Sequence, residues 1–89
     1  MTTIYKWTLT PGSTELHMPA GAKVLTVQMQ GGQPQLWAMV DPDMPKEWRT
    51  FEIHGTGNPM PKNPGEYVAT FQMDGGALVW HVFEATHAA

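Results

Sequence analysis

Four histidines, four tryptophans and one glycine-rich turn are the parts of this 89-residue chain that could carry chemistry. His17, His54, His81 and His87 are never two or four positions apart, and no carboxylate cluster accompanies them. A metal site would have to be assembled from distant strands, so neither a metal nor a cofactor is expected. His54 stands out because Gly55-Thr56-Gly57-Asn58 follows it directly. A turn of that composition can aim backbone N–H groups at an anion, and the Thr56 hydroxyl and Asn58 amide add donors. It is not a phosphate loop of the G-x-x-x-x-G-K-[ST] kind, and the same residues also suit a plain turn. Arg49 could neutralise a phosphate, and Trp37 or Trp48 could stack on a base. The candidate ligand site is therefore His54, Gly55, Thr56, Gly57, Asn58, Arg49, Trp48 and Trp37. Arg49 and Trp48 point to opposite faces of one strand, so both serve one pocket only at an edge or an interface.

Covalent catalysis finds little to work with. Ser13 is the only serine and sits beside a Pro-Gly turn. Asp41 and Asp43 flank a proline, as turn formers do. The chain is expected not to be an enzyme; a catalytic role would need His54 and His81 side by side with a carboxylate.

The elements that must hold these residues are strands. Thr3–Leu9, Ser13–Met18, Lys23–Gln30, Leu36–Val40, Glu47–His54, Glu66–Asp74 and Ala77–Phe83 are rich in β-branched or aromatic residues and bounded by Gly and Pro. No segment carries a sustained helical period. Alternation places Leu25, Val27 and Met29 on one face, Tyr67, Ala69, Phe71 and Met73 on one face, and Trp48, Thr50, Glu52 and His54 opposite Arg49, Phe51 and Ile53. Ala77–Phe83 is apolar on both sides apart from His81, so it should be central or covered on both sides. The stretch from Gly55 to Gly65 holds three prolines and is a long loop.

The chain also nearly repeats itself. Val24-Leu25-Thr26-Val27-Gln28-Met29-Gln30-Gly31-Gly32 recurs as Val68-Ala69-Thr70-Phe71-Gln72-Met73-Asp74-Gly75-Gly76, with six of nine positions identical and Trp37 and Trp80 following. Each copy reads as a hairpin with a glycine turn. The expected fold is all-β: about seven short antiparallel strands in a small sandwich or partly open barrel, with a pseudo-two-fold relating the two hairpins. Residues 1–84 form the single domain and 85–89 a loose tail that includes His87.

Composition narrows the partners. There is no cysteine, so disulfides and thiol chemistry are excluded. Net charge is −3 with five scattered Lys and Arg, which argues against binding duplex nucleic acid. No apolar run is long enough for a membrane span. Charged residues are only 15% of the chain, and a neutral surface favours self-association, so a homo-oligomer is expected.

Several stretches together resemble a family of small bacteriophage and prophage proteins of unassigned function. They are the opening Thr-Ile-Tyr-Lys-Trp, the run from Leu16 to Gln28, Leu36 to Pro42, Thr50 to Gly57 and Asp74 to Glu84. The resemblance covers nearly the whole chain and implies phage origin and action in the host cytoplasm; it carries no catalytic residues. The resulting expectation is a non-enzymatic binding module that counteracts host defence by sequestering a small, nucleotide-like ligand. The alternatives are a module that binds and blocks a host protein, or a minor virion structural or assembly protein.

Overall fold

The structure, a computed structural model, describes residues 1–86. Seven strands follow in chain order: β1 (Thr3–Thr8), β2 (Ser13–Pro19), β3 (Lys23–Gln30), β4 (Gln33–Val40), β5 (Lys46–Gly55), β6 (Glu66–Met73) and β7 (Leu78–Glu84). They form two antiparallel sheets, one in the order β1-β4-β3 and one in the order β2-β5-β7-β6. The all-β expectation holds, as an open sandwich and not a closed barrel. β7 lies inside its sheet between β5 and β6, with Val82 turned to the core and Val79, His81 and Phe83 turned outward. His87 lies outside the described residues.

The inner faces meet in a core made of Leu16 and Met18 from β2, Val27 from β3, Leu36, Ala38 and Val40 from β4, Phe51 from β5, Phe71 from β6 and Val82 from β7. Phe51 is fully buried, and burial of such a side chain contributes about 2–3 kcal/mol. β3 and β6 lie side by side where the sheets meet. Both begin at the end that holds Arg49 and Glu84, and both turns that follow them reach the opposite end, so the two strands run the same way.

β4 begins at Gln33, earlier than alternation predicts, and so includes Pro34. Leu9 N donates to the Pro34 carbonyl, so the backbone groups of Pro34 point toward β1 and away from β3. The Pro34 nitrogen faces Leu9 just past the end of β1, so the bond forgone is the one it would donate to the Leu9 carbonyl.

The repeat is present in the pairing. Thr26 faces Trp37 and Val27 faces Leu36; 44 residues later Thr70 faces His81 and Phe71 faces Trp80. His81, not Trp80, therefore occupies the place of Trp37. The preceding strands follow suit: Lys6 faces Trp37 and Trp7 faces Leu36, while His54 faces His81 and Gly55 faces Trp80. One three-stranded unit, β1-β4-β3, thus recurs as β5-β7-β6. The equivalence covers which residues face each other and which face the core, but not the hydrogen-bond ladder. Gly31 and Gly32, at φ 61° and 80°, close a two-residue loop, whereas Met73 and Leu78 bracket a four-residue loop that contains a turn of 3₁₀ helix at Asp74–Gly76. That change of loop length moves the ladder bonds by one residue.

Two bulges correct the predicted faces. The ladder slips between Val24 and Thr26 and again between Tyr67 and Ala69. Val24, not Leu25, packs against the core beside Val27 and Met29, and Leu25 is 45% exposed. Tyr67 shares the outward face with Thr70 instead of the inward face with Ala69. A bulge inserts one residue and reverses the phase of everything before it.

Candidate binding surface

Phe51 and Val82 are buried, so their sequence neighbours on β5 and β7 must point away from the core. The outer face of the four-stranded sheet accordingly carries Trp48, Thr50, Glu52 and His54 from β5, and Val79, His81 and Phe83 from β7. β6 adds Tyr67, Thr70 and Gln72, and β2 adds Ser13, Glu15 and His17, through direct cross-strand pairing.

A row of hydroxyls and imidazole crosses this face. Tyr67 Oη is 2.7 Å from Thr70 Oγ1, Thr70 Oγ1 is 3.0 Å from His81 Nδ1, and His81 Nε2 is 2.7 Å from Thr56 Oγ1. The Thr56 hydroxyl in turn donates to the Val79 carbonyl at 3.2 Å. That last bond sets a direction. Thr56 uses its proton on Val79, so its oxygen accepts from His81 Nε2–H; Nδ1 then accepts from Thr70, and Thr70 accepts from Tyr67. Every member of the row has a hydrogen-bond partner. Without the bulge before Ala69, Tyr67 would face the core and the row would end at Thr70.

His54 lies directly opposite His81, the adjacency that a catalytic reading demands. Glu52 is the next outward residue on β5, but among the described residues no hydrogen bond or ion pair joins it to either imidazole. Nor does any group of three or more His, Asp and Glu among them suit a metal ion. His54 packs edge-on to Phe83 with centroids 5.9 Å apart, and among the described residues its buried Nε2 has no hydrogen-bond partner.

The loop after His54 turns its donors inward. Thr56 N donates to Val79 O at 3.1 Å and Asn58 N to Gly55 O at 3.1 Å, so two of the amides expected to cradle an anion are already used. Gly55 is required for packing: a Cβ there would lie 3.0 Å from the Trp80 ring and 2.8 Å from Asn58 Nδ2.

The remaining predicted residues are scattered. Trp37 sits on the outer face of the other sheet, beside Lys6 and Thr26. Arg49 points inward and its fork is spent. Nε and Nη2 bond Glu84 at 2.6 and 2.7 Å, and Nη1 donates to the Ala22 carbonyl. The bond to Glu84 raises the Arg49 pKa above its usual value, and partial desolvation opposes this. Trp48 does face outward with His54, and it stacks on His17 with centroids 4.3 Å apart and planes 13° apart. The structure thus brings His54, Thr56 and Trp48 to one face and leaves Arg49 and Trp37 elsewhere.

A family model described as a domain of unknown function, DUF7352, matches residues 1–89. The chain belongs to that family. No curated protein and no solved structure matches it.

Sequence reasoning missed a second feature of this family member. At the turn end of the sandwich, Leu9, Pro34, Ile53, Phe71, Met73 and Trp80 help line a cleft of about 380 Å³. Among the described residues no charged side chain lines it, and Trp80 Nε1 is buried with no partner. The only sequence signal was indirect: both diglycine turns and the Thr10-Pro11-Gly12 turn converge there, which requires the strand order to be known.

Proposed function

We propose that the chain is a non-enzymatic binding module that engages a protein partner through the outer face of its four-stranded sheet. The observation that carries this reading is Trp48, which is 62% exposed yet held flat against His17. An aromatic side chain already fixed in place loses little freedom on docking, and rigid aromatics dominate interface energetics. Tyr67, 60% exposed and bonded through Thr70, is a second anchor on the same face. Glu52 shares the cross-strand row of Tyr67, Glu15 flanks Thr50 on β2, and Lys46 sits at the far end beyond Trp48. The matching partner surface is therefore basic around an apolar centre. On the phage origin that the resemblance implies, the partner is a host bacterial protein, and its occupation is how the chain counteracts defence.

A nucleotide-like ligand is less well supported, since Arg49 is spent on Glu84 and the Thr56 and Asn58 amides are bonded inside the loop. A small uncharged apolar molecule is the second reading, favoured by the volume and uncharged walls of the cleft. Capture from bacterial lysate on the immobilised chain, compared with the Trp48→Ala/Tyr67→Ala double variant, separates the two. The proposal expects a protein that the double variant retains at least about tenfold less well and that salt displaces. Equal retention by a double variant that melts like the parent overturns it.

A further inference from the structure

The two three-stranded units differ at one edge. In the second unit the outer edge of β5 is covered by β2, with Thr14 facing Phe51, Ser13 facing Glu52, and Ile53 N bonded to the Gly12 carbonyl. The corresponding residues of the first unit are Thr3, Ile4 and Tyr5, and among the described residues no strand pairs with that side of β1. The segment that would have to supply it, between β5 and β6, holds Pro59, Pro61 and Pro64 and forms no strand.

The Leu9–Pro34 bond fixes which way β1 presents its backbone. Thr3, Tyr5 and Trp7 share the phase of Leu9 and bond to β4, so Ile4, Lys6 and Thr8 direct N–H and C=O outward. An exposed edge is usually guarded by a lysine projecting past it. Here Lys6 turns back over its own sheet, with Nζ 2.6 Å from Gln30 Oε1. Ile4 on the outer face and Tyr5 on the core side are left 55% and 44% exposed.

We propose that this edge is occupied by β1 of a second copy, in an antiparallel pair whose two-fold axis passes at Tyr5. Of the registers the ladder phase permits, this one places Ile4 opposite the other copy's Lys6. The two residues exchange N–H···O=C bonds, and the single cation of each strand avoids its own kind. A register centred on Lys6 would oppose two ammonium groups across a shared boundary. Centring on Tyr5 makes the two Tyr5 residues a close, non-hydrogen-bonded pair on the core side, where each ring already meets Trp7 edge-on at 6.1 Å. The contact is isologous and closes at two copies, joining the three-stranded sheets into one. It leaves the Trp48 face free and so stands whether or not the proposed function does.

The chain has no cysteine, so one introduced thiol reports one position. Tyr5→Cys should form an intermolecular disulfide under mild oxidation, because facing residues at a non-hydrogen-bonded position have the right Cβ separation. Ile4→Cys and Lys6→Cys should not, since neither meets its own copy. Ile4→Pro removes an N–H that β4 does not use, so the fold should survive while native mass spectrometry shows a shift from twofold to single mass. A parent protein that is monomeric at every concentration overturns the proposal. So does a dimer that Ile4→Pro leaves intact, a mass that climbs past two copies, or cross-linking at Lys6 and not Tyr5.

Discussion

The two halves of this molecule pair equivalent positions across equivalent strands, yet the rows on their outer faces differ in chemistry. In the first unit the row Lys6–Trp37–Thr26 lies on the outer face; in the second the row is His54–His81–Thr70. One step toward the core, the first unit pairs Trp7 with Leu36, and the second pairs Gly55 with Trp80. The bulk has moved from the flanking strand to the central one, and glycine leaves room for the indole. The scaffold therefore tolerates both a shift of bulk along a row and a smaller pair, since Gly55 with Trp80 fills less space than Trp7 with Leu36. What distinguishes the halves is what connects their first strand to the hairpin: a strand, β2, in one case, and a proline-rich loop in the other.

That difference is most open to attack at the connections. Gly65 ends the proline-rich loop at φ 90°, and a Cβ there would overlap the Glu84 carbonyl. Gly65→Ala should destabilise by about 4 kcal/mol or more, enough to abolish folding. Gly21, which ends the β2 connection at φ 78° with open space around it, should cost only about 1–2 kcal/mol as Ala. Urea melts of the two variants test this, and equal losses would mean that the loop is not the more constrained of the two.

Arg49 ties the halves together, since it bonds the Ala22 carbonyl of one and Glu84 of the other. Both charged side chains of the pair are largely buried. Arg49→Met should cost about 3 kcal/mol by stranding Glu84. The folded-state pKa of Arg49 is raised, so its contribution is complete below the usual guanidinium value and fades only as pH rises above it. The loss should therefore be seen undiminished in thermal melts across the neutral range; a loss confined to part of that range would implicate another group.

The smallest effect separates the two rows. Thr70→Val breaks the link between Tyr67 and His81 Nδ1 and should cost about 1 kcal/mol. Thr26→Val, at the same place beside Trp37, should change stability by less than about 0.5 kcal/mol. Matched losses would show that the hydroxyl row contributes nothing beyond strand pairing. Histidine NMR reads the same contrast directly, because the Nε2–H tautomer of His81 should be less populated only in the Thr70 variant.

Strands were legible in the sequence because alternation and Gly-Pro punctuation are local. That β7 is central or covered on both sides was legible for the same reason, from apolar residues on both faces. The bulges were not, since an inserted residue such as Leu25 or Val68 has the composition of any strand residue, and the faces of Leu25 and Tyr67 were misread accordingly. The hairpin repeat was visible, and carrying its 44-residue offset past the turns sets His81 against Trp37 and Trp80 against Leu36, as the pairing shows. Of the candidate site, His54, Thr56 and Trp48 were placed together by one strand and the turn that follows it. The Arg49 partner is 35 positions away on the last strand, and no local pattern announces such a pair.

β7 is the last strand in chain order and the one that joins β5 to β6. The first sheet has all its strands once Val40 is in place, whereas the second stays divided until the final strand arrives. As the chain is synthesised, Val27, Leu36, Ala38 and Val40 must therefore wait with one side bare. Over that interval the nascent chain exposes more apolar surface than the finished protein ever does, and it depends on speed of completion, or on a chaperone, to remain unaggregated.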